Sequence, residues 1–505
     1  MTNRHRSPLF PEWGAGISLL ILIAVTGCAT KGPQPSFSAN TLPAFSAGGE
    51  ASASDRWWKE FQDEGLDREV NRALGGNFDL ATSLQRLRAA RAVTRRVSSD
   101  FFPDVDGLLT GDHSFRSGRN RTRSSFGLDA SWQVDLWGRI QSRVDAERLR
   151  SEATKADYHA VALVLSAEVA RTWFLLIESY AQLDLLKEQL VTNLDGLKAV
   201  EGAFANGGQG GSPNVLRQRQ LVESTLEQFT VVKADIEVLE HQLAVLTGQP
   251  PQEANYEPGR TLPDLPPQPA TRLPCELLYR RPDVRADYLE YVAAEHDLDA
   301  AVTDQYPRLD LTGSFLNSAE QPEMFFRNWA LGIGGQLIGP ILDGGQRQAE
   351  VERTRAVRMQ RYNEFRQTVL IAMQDVEDGL ALERYQEQRI QKLQEQLKLA
   401  KQASAQLSQQ FITGDARFLD ILSANQSQQR LQRTMLSARL ELILIRIGLY
   451  LSLAGDFDTR PEVDIKVPED AQDDPMPRFL GPPDDEPDGP LQSARPGRIR
   501  ELPED

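Results

Sequence analysis

Two long stretches without a proline constrain this chain more than any other feature: Arg139 to Phe204 and Gln346 to Phe411. In the first, apolar or small residues recur at alternating spacings of four and three, which predicts an α-helix with a coiled-coil stripe. The stripe consists of Leu149, Ala153, Ala156, Ala160, Leu163, Ala167, Ala170, Phe174, Ile177 and Ala181. At roughly 1.5 Å per residue, such a helix reaches on the order of 100 Å, several times the thickness of a membrane. This length favours a tunnel or a scaffold over a soluble enzyme.

The second stretch repeats the apolar pattern of the first at a constant distance along the chain. Positions of the first copy recur 207 residues later, and the pairs are Leu186 and Leu393, Leu190 and Leu397, Leu197 and Ser404, Val200 and Leu407, and Phe204 and Phe411. On the helices that return from these stretches the offset is 206, for example from Phe229 to Met435. The one-residue difference falls in the glycine-rich turn at 206–212, where a change of length is well tolerated. The register therefore predicts an internal duplication.

Between the helices the hydrophobic period changes to two, which predicts β-strands. In residues 125–136, apolar residues alternate strictly with small or polar ones. We expect strands at about 104–115 and 124–137 in the first copy, and at about 308–317 and 328–338 in the second. Strands of about 10 residues suit a membrane barrel, whose apolar face meets lipid and whose polar face meets water. An amphipathic hairpin on a soluble core is the alternative.

Four strands cannot close a barrel, because about eight is the minimum. An open sheet edge in lipid leaves backbone groups without hydrogen-bond partners, so several chains must share one barrel. The expected fold class is mainly α with transmembrane β. A duplicated unit of strand pair plus long helical hairpin would form a trimeric 12-stranded β-barrel continued by an α-helical barrel. We expect Asp129, Gln133 and Asp135 to line the barrel lumen.

Changes in composition divide the chain into six segments. These are a signal peptide (1–27), a flexible tether (28–54), a first repeat (55–248, helices at about 139–205 and 213–247), an exposed proline-rich linker (249–273), a second repeat (274–455, helices at about 345–411 and 416–454) and an acidic tail (456–505). The tether is rich in Ser, Ala, Pro and Gly. The tail carries fifteen acidic and six basic side chains and ten prolines, so we expect it to be disordered.

The N-terminus is typical of a secretory signal, because Arg4 and Arg6 precede an apolar run, 17–25, that is too short to span a membrane. Gly27-Cys28 follows and resembles a bacterial lipobox, in which Cys28 becomes the lipidated first residue. The alternative is a plain signal peptide with a chance cysteine. Cys275 is the only other cysteine, so no disulfide within one chain is expected. The body of the chain has no run of 18 apolar residues, so no transmembrane helix is expected.

Composition and motifs also argue against several kinds of function. The net charge of −16 argues against nucleic acid as a partner. No His, Cys or Asp cluster has metal-ligand spacing and no nucleophile elbow occurs, so we expect no catalysis, no metal and no cofactor. The run that most resembles a phosphate loop, 207–211, joins two helices and not a strand to a helix. Gly207 and Gly208 are therefore expected to form a tip turn between helices.

Three motifs resemble the TolC-type outer-membrane efflux family, in its lipoprotein branch. The run 131–139 is similar to the family's strand-to-helix junction, 277–284 to the branch's signature between repeats, and Trp57-Trp58 with Asn77 and Asp79 to its N-terminal pattern. The resemblance covers residues 55 to 455. It implies a homotrimeric conduit in the outer membrane, in contact with outer-membrane lipid and extending into the periplasm. It also implies two partners, a periplasmic adaptor protein and an inner-membrane pump of RND type.

By the same resemblance, the helix-to-helix turns form the periplasmic aperture. The run 411–422 resembles the family's second tip motif, in which Asp420 would form an acidic ring and Leu419 a hydrophobic ring. The other aperture and turn residues are Phe411, Arg417 and Gly414. Three carboxylates in a narrow mouth attract cations. The alternative for Asp420 is a solvated charge on a helix face. It lies too far past Gly414 to be a simple cap, whereas Asp415 could be one.

Two departures from the family pattern bear on that aperture. The position of the first copy that matches Asp420 is Asn214, and the family's second carboxylate is Ser423 here, which puts a two-tier acidic gate in doubt. Arg217, Arg219 and Arg417 lie near the tips and either form latch salt bridges or are ordinary exposed arginines.

The leading functional hypothesis is a passive efflux conduit for small toxic solutes or drugs. An outlet for protein secretion is an alternative within the same family, and the lipobox and Arg280-Arg281-Pro282-Asp283 favour solute efflux over it. A structural lipoprotein that only tethers the envelope is the third possibility, and the alternating strand pairs argue against it. The sequence does not name the exported compounds.

Overall fold

The computed structural model describes residues 43–49, 56–116, 119–205, 211–271, 280–320, 326–453 and 455. Several predicted features lie outside the described residues. These are the signal peptide, the lipidated Cys28, Gly207, Gly208, Cys275 and the acidic tail. They remain predictions.

The described residues contain seven α-helices. They are α1 (Glu64–Gly76), α2 (Phe78–Ser98), α3 (Arg139–Ala205), α4 (Gly211–Leu246), α5 (Pro282–Thr303), α6 (Gln346–Thr413) and α7 (Phe418–Leu453). The long helices α3 and α6 have 67 and 68 residues, so each is about 100 Å long. Each packs against its return helix, α3 against α4 and α6 against α7, and also against the shorter helix α5.

The short helices α2 and α5 continue the return helices toward the sheet. Asn77 caps α2, because its Oδ1 accepts from the backbone N–H of Asp79 (2.9 Å) and Leu80 (3.0 Å). Its Nδ2 donates to the carbonyl of Leu246, the last residue of α4 (3.0 Å). One side chain therefore satisfies free groups at both helix ends. In the second repeat Arg281 holds the equivalent place before α5.

Arg281 ties the start of α5 to α6. Its guanidinium donates to both carboxylate oxygens of Asp283 (2.6 and 3.1 Å) and to Asp375 of α6 (2.9 Å). Hydrogen bonds and charge from these two carboxylates outweigh the opposing effect of burial and raise the pKa of Arg281. The Arg-Arg-Pro-Asp run thus has a structural role as a helix start in this chain.

Four antiparallel strands form one sheet. They are β1 (Asp104–Arg116), β2 (Arg119–Val134), β3 (Arg308–Ala319) and β4 (Trp329–Ile338), in the order β1-β2-β3-β4. The strand pairs of the two repeats join through β2 and β3, where Val134 lies opposite Leu309. Within the described residues, the outer edges of β1 and β4 have no strand partner.

Beta-strand β2 differs from its expected bounds of 124–137. It begins earlier, at Arg119, because the hairpin ladder with β1 continues to Arg116 opposite Arg119. It ends earlier, at Val134, because Gly138 has φ +76°, a left-handed conformation that turns the chain into α3. The other strands and the helices begin and end within a few residues of the expected positions.

The largest core cluster lies where the N-terminal aromatics meet α3, α4 and α7. Trp57 and Trp58 are fully buried, and Trp57 stacks on Tyr450 of α7 with ring centroids 5.7 Å apart. Trp173 of α3 is also buried, and its Nε1 donates to Asp63 (2.9 Å). Aromatic burial of this kind contributes strongly to stability. The N-terminal aromatic pair therefore joins the two repeats.

Helix α3 also contains an 18-residue window that could cross a membrane by length and composition. The count of uninterrupted apolar runs in the sequence predicted no transmembrane helix. Within the protein, 67% of that window is buried. Such burial is typical of the core helix of a folded domain. The window does not by itself indicate a membrane span.

The expected flexible tether and exposed linker are wrong in part. Residues 43–49 lie against the second repeat, because Ser46 donates to both carboxylate oxygens of Glu377 (2.8 and 2.5 Å). Gly49 donates its N–H to the carbonyl of Pro269 in the linker (3.0 Å). Tyr256 of the linker is buried in the main core cluster. Composition could not predict these contacts. The backbone groups of an extended segment are satisfied by specific neighbours, and composition does not show which neighbours these are.

Candidate functional site: the strand sheet and the helical tips

The sheet has one apolar face that runs across all four strands. The register places Val105, Ala130, Gly313 and Ile333 side by side on it, one from each strand. The other members of this face are Leu109, Phe126, Leu128, Trp132, Val134, Leu309, Leu311, Phe315, Leu331 and Leu337. Ile333 is 86% exposed and Leu109 80%. An exposed apolar surface of this extent needs a partner, and in a strand sheet with open edges lipid fits.

The opposite face carries most of the polar residues of the sheet, although Asn317 lies on the apolar face. Asp129 lies opposite Asp106 of β1 and Ser314 of β3, and Gln133 lies opposite Asp310 of β3. The structure therefore places Asp129 and Gln133 on one face, as the alternation in the sequence predicts. Their role as lumen lining remains a prediction.

Asp135 is different, because β2 ends at Val134. Its carboxylate accepts a hydrogen bond from the backbone N–H of Gln141 in the first turn of α3 (2.8 Å). Asp135 therefore satisfies a free donor at the start of the long helix. It lies just past the strand, and its role as lumen lining remains a prediction.

Ion pairs from both repeats meet where the sheet joins the helices. Asp304, at the end of α5, lies 3.7 Å from Arg139 of α3 and 3.4 Å from Arg347 of α6. Arg347 also donates to the carbonyl of Asp304 (2.9 Å) and to Asp343 (3.2 Å). One carboxylate thus connects the first turns of both long helices.

At the second tip, the turn between α6 and α7 is closed by hydrogen bonds. Gly414 has φ +88° and its N–H donates to the carbonyl of Phe411, as in a glycine C-cap. Helix α7 begins at Phe418, so Arg417 is the N-cap residue and Asp420 the third helical residue. The carboxylate of Asp420 accepts from the N–H of Arg417 (3.3 Å) and from its guanidinium (3.2 Å twice).

This geometry corrects the expectation that Asp420 lies too far along the chain to cap the helix. That expectation counted from Gly414, whereas the helix begins four residues later, at Phe418. A carboxylate at the third helical position reaches back to the N-cap N–H. Asp415 does not cap α7. It accepts a hydrogen bond from the hydroxyl of Thr413 inside the turn (2.8 Å).

The remaining tip residues divide into paired and exposed groups. Phe411 and Phe418 have ring centroids 6.2 Å apart across the turn, and Leu419 is 44% exposed. At the first tip, Arg219 of α4 donates twice to Glu201 of α3 (2.6 and 3.2 Å), and Arg217 is exposed. Arg219 and Arg417 therefore both form ion pairs within the chain.

The pKa of Asp420 lies below its ordinary value, chiefly because Arg417 hydrogen-bonds the carboxylate. A depressed folded-state pKa gives stabilisation that is present above the ordinary Asp pKa of about 3.9 and is lost as the pH falls through the lower value. We therefore expect amides in the first turn of α7 to exchange faster, after correction for intrinsic rates, as the pH drops below about 4. Hydrogen exchange by mass spectrometry measures this. In Asp420→Asn the pH dependence should disappear, and an unchanged pH dependence would contradict the capping role.

Sequence reasoning missed a buried polar seam between α3 and α7. Gln429 donates to Asn193 (2.8 Å), and Arg433 donates to Gln189 (2.6 Å). Asn193, Gln189 and Gln429 are all buried. This seam therefore adds hydrogen bonds between the two repeats to the apolar cluster that α3 and α7 share. The only signal in the sequence was the interruption of apolar spacing by Gln and Asn after residue 181.

Comparison with known proteins agrees with this geometry. A family model described as outer membrane efflux protein matches residues 70–249 and 273–455. The pyoverdine export outer membrane protein OpmQ of Pseudomonas aeruginosa is 28% identical over 473 residues, which cover 88% of this chain and 97% of that protein. The cation efflux system protein CusC of Escherichia coli is 26% identical over 464 residues, covering 86% of this chain and 98% of that protein.

Solved structures give the same fold. The outer-membrane channel OprN superposes with a TM-score of 0.77 at 26% identity and covers 84% of this chain and 99% of its own. VceC of Vibrio cholerae gives a TM-score of 0.75 at 22% identity, with 80% and 100% coverage. The predicted fold class, a duplicated strand-pair and hairpin unit of a trimeric β-barrel continued by a helical barrel, is confirmed. Since the family model matches well over half of this chain, the chain belongs to the outer membrane efflux protein family.

Proposed function

We propose that this chain is the outer-membrane channel subunit of a tripartite efflux system, a passive conduit for small toxic solutes or drugs. The observation that carries the proposal is the sheet: one apolar face, one polar face and two open edges. That sheet continues directly into helices about 100 Å long. A channel is the function that uses both parts.

A homotrimer follows from the open edges. An unpaired strand edge in lipid is not tolerated, and the described part of one chain supplies four strands. Three copies supply twelve, with the apolar face against outer-membrane lipid. Asp129 and Gln133 then line the lumen, and the long helices extend into the periplasm.

The aperture lies at the helical tips, where the conduit meets its partners. Leu419 and Phe411 supply its apolar lining, and Gly414 permits the turn. Because Arg417 pairs with Asp420 in each subunit, the acidic ring is partly neutralised. The partners are a periplasmic adaptor protein and an inner-membrane pump of RND type, which supply specificity and energy. Relatives named for the export of pyoverdine, cations and solvents support a conduit that selects its cargo weakly.

The lipid anchor is a separate part of the proposal. The signal ends at Gly27-Cys28, and a lipidated Cys28 would hold the mature N-terminus in the outer membrane. A lipid chain adds membrane affinity to the strand sheet. Mass spectrometry of the mature N-terminal peptide tests it: an unmodified N-terminus or cleavage elsewhere would contradict the anchor and leave the channel untouched.

Conductance tests the channel itself. Full-length protein reconstituted in a planar bilayer should give stepwise ion currents, and Asp420→Ala should increase the open probability because it removes the cap and ion pair at the aperture. Leu216→Ala, an exposed residue near the first tip, serves as a control and should leave the currents unchanged. If neither the natural chain nor Asp420→Ala conducts, the protein is a structural lipoprotein and not a conduit.

A further inference from the structure

An open groove lies at the seam between the two repeats, and we call it the inter-repeat groove. Its lining comes from α3 of the first repeat and from α5, α6 and α7 of the second. Its volume is about 640 Å³. Pockets that bind small molecules usually have volumes of roughly 300 to 1,000 Å³, and in helical bundles they lie between the helices. The groove therefore has the size and the position of a ligand site.

The inter-repeat groove has an apolar floor and apolar walls. Leu444, Ile445 and Leu451 of α7 form the floor. Val164 of α3 and Leu382 of α6 line the two walls and are 49% and 57% exposed. A solute that fills the groove would remove the apolar surface of these side chains from water, which favours binding.

Gly448 of α7 keeps part of this floor open. A Cβ atom at this position would have no neighbour within 4 Å among the described residues. Gly379 of α6 differs, because a Cβ atom there would lie 3.3 Å from the side chain of Leu449, so helix packing accounts for that glycine. Glycine is less favourable than alanine inside a helix, and no close contact requires it at position 448. What glycine provides there is space inside the groove.

The rim of the groove carries an excess of negative charge. It has four carboxylates and two guanidinium groups, hence a net charge of −2, and these groups belong to Asp283, Asp375, Asp378, Glu441, Arg171 and Arg281. Both guanidinium groups are already paired, that of Arg281 with two of these carboxylates and that of Arg171 with Glu168, outside the groove (3.2 Å). Asp378 and Glu441 are exposed and form no ion pair among the described residues. The groove therefore attracts a positive charge.

The groove opens on the face of α7 that is turned away from the linker. On the linker side, Arg446 contacts the linker and Tyr450 stacks on Trp57. Gly448 is two residues from both Arg446 and Tyr450, so it lies about 200° around the helix from each of them. Three copies of the linker inside a ring of helices would obstruct the tunnel. In the proposed trimer the linker therefore lies outside, and the groove opens into the lumen.

We propose that the inter-repeat groove binds hydrophobic cations, solutes with an apolar body and a positive charge, on their way through the tunnel. The apolar floor and walls take up the body of the solute, and Asp378 and Glu441 attract its charge. An anion of the same shape gains the apolar contacts but is repelled by the rim. The inference rests on the proposed conduit and adds a site and a class of cargo to it.

Tetraphenylphosphonium and tetraphenylborate test this inference, because the two ions have nearly the same shape and opposite charges. Full-length protein in lipid nanodiscs is titrated with each ion by isothermal titration calorimetry, and empty nanodiscs measure the binding to lipid alone. Tetraphenylphosphonium should bind saturably with one site per subunit, and tetraphenylborate should bind about tenfold more weakly or not at all. A higher ionic strength should weaken the binding of the cation.

Three variants locate the binding in the groove. Gly448→Leu fills the floor and should lower the affinity for tetraphenylphosphonium by about tenfold or more. Glu441→Gln removes an exposed carboxylate of the rim, so it should fold normally and lower the affinity several-fold. Glu387→Gln is the matched control, because it removes an exposed carboxylate of α6 from the cavity beside the linker, and it should leave the affinity unchanged.

The outcomes separate this inference from the proposed function. Equal binding of the two ions, or an unchanged affinity in Gly448→Leu, overturns the groove as a cation site. A trimer dissociation temperature that falls in both Gly448→Ala and Gly448→Leu would show that a segment of the protein fills the groove, which also overturns it. If the natural chain conducts in planar bilayers but binds no tetraphenylphosphonium, the groove inference fails and the conduit stands. If it neither conducts nor binds, the proposed function fails as well.

Discussion

Glu383→Ala should destabilise the protein by about 3 to 5 kcal/mol, because it leaves the charge of Arg446 buried without a partner. Arg446 is 2% exposed, and its guanidinium donates to both carboxylate oxygens of Glu383 (2.8 and 2.6 Å). It also donates to the carbonyls of Pro266 and Pro267 (3.1 Å to the latter). The pair therefore fastens the linker between the repeats to the α6–α7 hairpin. Thermal unfolding of the purified protein, monitored by circular dichroism, measures this loss of stability.

A matched control and a compensating variant separate charge from packing. Asp195→Ala removes a carboxylate whose pair with Lys198 is solvent-exposed, so it should leave the unfolding temperature unchanged. Glu383→Leu combined with Arg446→Met should recover most of the loss, since replacing both members of a buried pair by apolar groups is often neutral. If Glu383→Ala unfolds like the natural chain, the pair contributes nothing and the linker is held by other contacts.

The same ion pair shows where sequence reasoning stops. Position 383 corresponds to Leu176 of the first copy, which is fully buried, so the apolar pattern gave no reason to expect a buried carboxylate there. Charged residues on long helices are usually solvated. Only the fold brings Arg446 to Glu383, 63 residues away in sequence, and to a linker 180 residues away. The spacing of four and three predicted helix α3, because the stripe that faces a core is a pattern within the helix itself. The ion pair, in contrast, joins residues that are far apart in sequence.

The candidate site also contains residues that the local pattern predicts and residues that it does not. The face of Asp129 and Gln133 was predictable, since alternation fixes which residues share a side of a strand. The role of Asp135 was not, because the end of β2 depends on the left-handed turn at Gly138 and on a donor in α3. The capping role of Asp420 was wrongly excluded for a similar reason. The first residue of a helix is the least certain part of a sequence-based assignment, and capping depends on it.

The largest functional contrast is expected between the two faces of the sheet. Ile333→Arg places a guanidinium on the apolar face at the middle of β4, where lipid exposure costs about 2 to 4 kcal/mol per subunit. We therefore expect a large loss of folded trimer in outer-membrane fractions. Thr312→Arg places the same side chain on the polar face, between Gly334, which has no side chain to displace, and the small Ser131. It should fold normally.

The polar-face variant should instead change what the pore conducts. Three added guanidinium groups around one level of the lumen raise the local potential and favour anions, as charged rings do in other channels. The reversal potential in a salt gradient across a planar bilayer should shift toward anion selectivity in Thr312→Arg, and the shift should shrink at high ionic strength because salt screens the added charge. Thr312→Gln, of similar length and without charge, should show no shift. If Thr312→Arg fails to assemble while Ile333→Arg assembles and alters selectivity, the faces are reversed. If both variants behave like the natural chain, this sheet is not the wall of a membrane pore.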